Sequence, residues 1–254
     1  MREQYDLVFI NFLHSLYGEG HLSEGNAESN KLLISDLNLN NSNCLDFGCG
    51  TGGLAKFINE KFPKSFVTGV DIAESCISLA KISFPKDQYP NIDFVKYSPP
   101  HLPFPNQSFD FVFAKEVFIH IFNKEETLQE ICRILKPGGQ LIVIDWFANS
   151  RLNNNYDKDQ IIQLSEIETF LSVLKKSCFI NISTSELTNS YKFFLQESLN
   201  KAKQFPLFQQ NSVVKDYTLS LLDILNNLKE KKVVVIRFQM TKMNLKDSVS
   251  LDLQ

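Results

Sequence analysis

Residues 43–53 read Asn-Cys-Leu-Asp-Phe-Gly-Cys-Gly-Thr-Gly-Gly, an apolar run that stops in a cluster of glycines and then resumes with Leu54, Phe57 and Ile58 at helical spacing. Glycine lets a chain leave a strand and enter a helix within a few residues, and it lets the backbone approach a ligand where a Cβ would intrude. The segment is therefore expected to be a strand, a tight turn and a helix whose first N–H groups face a bound molecule. That expectation constrains the rest of the chain, because a turn of this kind belongs to a βαβ unit in a parallel sheet. Gly48, Gly50 and Gly53 also satisfy G-x-G-x-x-G, so a nicotinamide or flavin nucleotide stays open at this point. Asp71 ends the next β-rich run, where a carboxylate can accept hydrogen bonds from ribose hydroxyls in either cofactor class.

The remaining pattern agrees with an α/β fold. Strands are expected at Asn43–Phe47, Phe66–Asp71, Ile92–Tyr97, Asp110–Ala114, Gln140–Phe147, Phe179–Thr184 and Val233–Met240, all rich in β-branched and aromatic residues. Leu128, Ile131, Cys132 and Leu135 fall on one helical face behind an Asn123-x-x-Glu126 start signal. Ser165-x-x-Glu168 is expected to open a second helix, with Ile167, Phe170, Leu171 and Leu174 inward. Residues 1–40 read as a helical lid with Leu32, Leu33 and Leu37 facing in, 41–147 as the ligand-binding core, and 148–190 as the last crossover helix and sixth strand. Residues 191–232 read as a helical cap and 233–254 as the last strand with a tail, all within one domain of 254 residues.

Composition narrows the function. Lys and Arg number 26 against 29 Asp and Glu, a net charge of −3, so no basic surplus draws the chain to nucleic acid. The longest apolar runs, Leu141–Ile144 and Val233–Ile236, fall far short of the ~20 residues that cross a bilayer, and the N-terminus lacks a signal-peptide pattern. Five cysteines with no C-x-x-C argue against a zinc cluster or disulfide framework and for reduced thiols in the cytoplasm; no metal site is expected. Ser98-Pro99-Pro100-His101 looks like the signature of base methylation but follows the third strand rather than the fourth, and it ends in His. A small-molecule partner is expected, with the oligomeric state open.

Four motifs in order, Asp46-x-Gly48-x-Gly50-x-Gly52, Gly69-Val70-Asp71-Ile72, Phe104-to-Asp110 and Leu135-Lys136-Pro137-Gly138-Gly139, resemble the class I methyltransferases that use S-adenosylmethionine. The resemblance implies a Rossmann-like, doubly wound seven-stranded sheet with its last strand antiparallel, N-terminal helices, and a helical cap inserted before that strand. A closer likeness, through Leu16-Tyr17-Gly18-Glu19-Gly20-His21-Leu22-Ser23-Glu24-Gly25 and Glu116-Val117-Phe118-Ile119-His120, is to the phosphoethanolamine N-methyltransferases. It implies a catalytic pair, Tyr5 and His120, and an acceptor contact at Glu116. It also implies cofactor contacts at Gln4, Ser23, Asp46, Gly48, Cys49 and Gly50, and further ones at Gly52, Asp71, Ile72, Ser98 and Lys115.

The chain departs from that family in two places. Ser98 stands where an acidic residue would hold the adenine amino group, and Pro99 has no N–H to offer the ring. The region of the phosphate clamp offers only Arg151, Tyr156 and Lys158. The leading expectation is methyl transfer to an amine nitrogen. Oxygen or carbon acceptors such as phenols, quinones or lipids, a nicotinamide oxidoreductase, and a catalytically degenerate partner protein are the alternatives. The phenylalanines of the cap, Phe193, Phe194, Phe205 and Phe208, suggest an apolar acceptor pocket.

Overall fold

Short apolar strands alternating with amphipathic helices bury both faces of a sheet, and the chain does so in that order. The computed structural model describes residues 7–149, 164–204 and 212–244. Helices α1 (Leu7–Tyr17) and α2 (Asn26–Ile34) precede β1 (Asn43–Phe47), α3 (Gly53–Lys61), β2 (Phe66–Asp71), α4 (Glu74–Ser83), β3 (Ile92–Lys96) and β4 (Phe109–Lys115). A 3-10 turn (Phe118–His120) leads to α5 (Lys124–Ile134), β5 (Leu135–Ala148), β6 (Ser165–Glu166), α6 (Ile167–Lys176) and β7 (Phe179–Glu186). Then α7 (Thr188–Gln204), α8 (Ser212–Lys229) and β8 (Val233–Lys242) complete the order.

The strand order is β3-β2-β1-β4-β5-β8-β7. β8 runs antiparallel to both its neighbours, as expected, while the two-residue β6 adds a short parallel bridge to β5. The order reverses between β1 and β4, and the carboxyl ends of these strands open a crevice there. One face of the sheet is covered by α2, α3, α4, α7 and α8, the other by α5 and α6, and α1 packs on α7 and α8 through Phe12, Leu13, Leu16 and Ala202.

Helix α5 forms as the start signal predicts, since the Asn123 side chain accepts from the Glu126 N–H at 3.1 Å. Its Leu128, Ile131 and Ile134 are fully buried, each worth roughly 1.5–3 kcal/mol. The second start signal fails, because Ser165 and Glu166 pair with Phe147 and Ala148 and α6 begins only at Ile167. Strand β5 starts five residues earlier than expected: Leu135 already pairs with Phe109, and the Pro-Gly-Gly run is taken up as an irregularity before Gln140 pairs with Phe111.

The expectation of reduced thiols holds at Cys44, Cys49 and Cys76 and is corrected at Cys132 and Cys178. The packing of α5 on α6 brings those two together as a disulfide, 46 residues apart in sequence. No helix among the described residues is long and apolar enough to cross a membrane.

Candidate active site

The glycine turn sits at the crevice. Gly48 has φ +76°, and a Cβ there would stand 2.4 Å from Val117 Cγ2, so only glycine fits. Most of the turn's N–H groups are spent within the fold. Gly48 and Cys49 both donate to the Val70 carbonyl, Gly52 donates to Cys49, Gly53 to Gly20, and Gly50 to the Asp71 carboxylate at 2.9 Å. The donors hold the turn itself rigid, and what it offers a ligand is a wall without side chains. The bond from Gly53 to Gly20, where a Cβ on Gly20 would lie 2.9 Å from Gly53 Cα, clamps the segment after α1 over the turn.

A cavity of about 910 Å³ opens between this turn, the ends of β2 and β4, and the helices α1 and α8. Asp46, Gly48, Cys49, Gly50, Asp71, Ile72, Ser98, Lys115, Ser23, Glu116 and His120 all line it, whereas Gly52 turns inward behind Phe94. Gln4 and Tyr5 lie outside the described residues, as do Arg151, Tyr156 and Lys158.

Each charged group has a definite environment. Burial pushes the Asp46 carboxyl up to about 7, against the pull of Lys115, and its Oδ2 has no hydrogen-bond partner. Asp71 accepts from Gly50 N–H through one oxygen and from Ala73 N–H through the other; burial raises its pKa, while those N–H groups and His120 act against the rise. The Ile72 N–H bonds the carboxylate as well, which leaves about one of its four lone-pair positions for a further donor. The Lys115 ammonium donates to Ser29 Oγ at 3.0 Å and Asn30 Oδ1 at 3.1 Å, so it is anchored on α2 although it reaches the cavity, and burial lowers its pKa. His120 is exposed at the rim, at the end of the 3-10 turn.

Glu116 follows β4 with φ +58°, a left-handed conformation that costs a non-glycine residue about 1–2 kcal/mol. The turn throws its side chain out of the sheet plane, where Oε1 accepts from the Tyr191 hydroxyl at 3.0 Å. Four residues given no role in the sequence reading join it: Tyr191, Glu24, Tyr17 and Tyr217. Glu24, 6% exposed, touches Glu116 and accepts from the Tyr17 hydroxyl at 3.0 Å, and Tyr17 lies 2.7 Å from the Tyr217 hydroxyl. Burial, then the Glu116 charge, push Glu24 up to about 8.

A fifth, Asp145 within β5, is fully buried, pushed up to about 8 by burial, and accepts from Trp146 and Ile119 N–H groups; it thereby pins the turn carrying His120. The expected apolar wall exists, but not from the cap phenylalanines. Phe193 is 63% exposed and Phe194 packs at Gly25; Phe9, Leu13, Trp146, Ile224 and Val233 supply it instead, and Phe205 and Phe208 lie outside the described residues.

Comparison with known proteins matches the family described as "Methyltransferase domain" over residues 38–237. The phosphoethanolamine N-methyltransferase of Plasmodium falciparum is 27% identical over 201 residues, 76% of this chain and 74% of the relative. Phosphoethanolamine N-methyltransferase 1 of Zea mays is 26% identical over 238 residues, 90% of this chain and 46% of its own length. A structure of Haemonchus contortus phosphoethanolamine N-methyltransferase 2 in complex with S-adenosyl-L-methionine superposes with a TM-score of 0.86 at 22% identity, over 96% of this chain and 59% of that one. The chain thus spans less than half of the maize relative and under two thirds of the Haemonchus one.

Proposed function

The chain belongs to the methyltransferase domain family, and on that premise we propose that it moves a methyl group from S-adenosylmethionine to an amine nitrogen of a small acceptor. The observation that carries this reading is the charge of the cavity. Among its described lining residues six bear carboxyls (Glu24, Asp46, Asp71, Glu116, Glu126 and Glu130) and only Lys96 and Lys115 bear ammonium groups, with no arginine. Such a lining favours cations at both of its ends.

The cofactor end fits. The unpartnered Asp46 Oδ2 is a buried acceptor that needs a donor, which the cofactor's ammonium would be, and the bare wall at Gly48 leaves room beside it. Asp71 has a lone pair left for a ribose hydroxyl, and Ile72, 50% exposed, offers a flat apolar face for adenine. Bound there, S-adenosylmethionine supplies a methyl carbon already activated by a positive sulfur.

The protein's share of the work is orientation, exclusion of water and proton removal. Glu116 holds an ammonium by charge. His120 accepts a proton on a ring nitrogen at the rim. Phe9 and Leu13 on α1, with Ile224 on α8, keep water from the acceptor.

The test is a thermal-shift titration with S-adenosylhomocysteine and NAD(P), then a turnover screen of amines, phosphoamines and quinols with the wild type and His120→Ala. Stabilisation by S-adenosylhomocysteine, methylation of an amine, and a kcat lowered about 10²–10⁴-fold in His120→Ala are expected. A screen in which only quinols are methylated would overturn the amine reading.

A further inference from the structure

The acceptor end of the cavity holds an arrangement that binding one amine by one carboxylate does not require. Glu24, from the segment clamped over the glycine turn, and Glu116, from the end of β4, bring two carboxyls into contact where both line the cavity. Two carboxylates at such range resist ionising together, and burial followed by the Glu116 charge raises the Glu24 pKa. The surrounding groups are already engaged. Tyr17 donates to Glu24, Tyr191 donates to Glu116, and the Lys115 ammonium is spent on Ser29 and Asn30.

No described lysine or arginine here is placed to neutralise an acceptor's phosphate, since Lys115 is held by α2 and Lys96, the last residue of β3, pairs with Glu74. The wall next to the pair is hydrocarbon and aromatic, from Leu13, Trp146, Ile224 and Val233.

Building on the amine reading above, we propose that Glu24 is a specificity-determining residue which, with Glu116, forms a proton-sharing subsite for the ammonium group of an unphosphorylated amine with an apolar body. When the ammonium lodges against the pair, the shared proton leaves to solvent and both carboxylates face the cation. Charge balances: a pair of net charge −1 and a +1 ligand become a pair of net charge −2 with the same ligand and one free proton. When the nitrogen sheds its own proton ahead of attack, the pair takes it. Among the described residues, a second anion on the ligand meets two carboxylates and no counter-charge.

The pair is the titrating unit. The groups that face it are Tyr17 from α1, with Tyr217 of α8 behind it, Tyr191 from α7, Lys115 from β4, itself paired in charge with Asp46 of β1, and Asp145 from β5.

The experiment is calorimetric binding of phenethylamine and of O-phosphoethanolamine to the protein saturated with S-adenosylhomocysteine. It is run at several pH values from 6.5 to 8.5 in buffers of different ionisation heat, on the wild type, Glu24→Gln and, should that variant not fold, Glu116→Gln. In the wild type, phenethylamine should bind at least about tenfold tighter than phosphoethanolamine, release up to one proton, and tighten with pH by up to about tenfold per unit. Glu24→Gln keeps an acceptor for Tyr17 and should bind without proton release and with a flatter pH dependence. His120 is common to both proteins and cancels in that comparison.

Amine binding with equal proton release in wild type and variant would overturn the shared-proton subsite while leaving the amine reading intact. Tighter binding of phosphoethanolamine would overturn the assigned acceptor class. Failure of both amines to bind, with S-adenosylhomocysteine bound normally, would overturn the amine reading and this subsite with it.

Discussion

The two ends of the cavity are built by opposite means. At the glycine turn the backbone sets the shape: carbonyls and N–H groups of adjacent segments lock one another, with the Asp71 carboxylate holding Gly50, and a ligand meets missing bulk beside the Asp46 and Asp71 carboxyls. At the acceptor end the backbone contributes the left-handed turn at Glu116, and side chains from α1, the segment after it, the end of β4, α7 and α8 make a hydrogen-bonded chain of three tyrosines and two carboxyls. A backbone site fixes residue types at short spacing and tolerates no change of shape. A side-chain site tolerates changes of shape and is sensitive to changes of charge. A methyl donor common to a family suits the first; an acceptor that differs among members suits the second.

The largest effect should come from adding one carbon to the first end. In Gly48→Ala the new Cβ meets Val117 at 2.4 Å from a left-handed backbone. Overpacking and the positive φ together cost about 2–5 kcal/mol. Chemical denaturation should show that loss, and S-adenosylhomocysteine binding should fall with it. Pairing it with Val117→Ala should recover part of both. If Gly48→Ala melts like the wild type, the turn is not the rigid wall described.

That contrast also explains what the sequence disclosed. The turn, Asp71, the boundaries of β1 and β2 and the start of β3 were legible because hydrophobic alternation and glycine spacing are local signals. Glu24 was not, although its neighbour Ser23 was picked out. Its partners are Tyr17, seven residues back, and Glu116, ninety-two residues on, and no spacing rule connects them. Asp145 reads in sequence as one polar residue interrupting an apolar strand, and only its N–H donors from Trp146 and Ile119 reveal what it holds. The Ser165 start signal misled because an edge of β5 was available to pair with it, and strand pairing displaced a helix cap.

The next effect belongs to the second end and is a matter of charge. Burial raises Glu24 to about 8 from 4.5, Asp145 to about 8 from 3.8, and Asp46 to about 7 from 3.8. With folded-state values above the unfolded ones, the stability tied to these protons is full below about pH 4 and is lost as pH rises through 7 to 8. Urea midpoints should therefore decline between pH 5 and pH 8. Glu24→Gln and Asp145→Asn should each flatten the decline, by on the order of 1–3 kcal/mol at pH 8. A midpoint that rises over this interval would mean that the carboxyls ionise in the folded protein without penalty.

The smallest effect lies at the cofactor rim, where the backbone rule is relaxed. Ser98 and Pro99 follow β3 on the exposed edge of the cavity, beyond Asp71 and Ile72. Pro99 has no N–H for a purine nitrogen, and a serine hydroxyl is a weaker acceptor for an exocyclic amine than a carboxylate. Because the position is solvent-exposed, a restored charge-assisted bond is worth about 1 kcal/mol rather than several. Ser98→Asp should therefore tighten S-adenosylhomocysteine about fivefold by calorimetry, with no change in acceptor preference, and Ser98→Ala should leave affinity within about twofold. If Ser98→Asp weakens binding, the lost acceptor is already replaced by another group at the rim. The contrast between a rigid backbone end and an adaptable side-chain end would then have to be redrawn to put adenine recognition with the side chains.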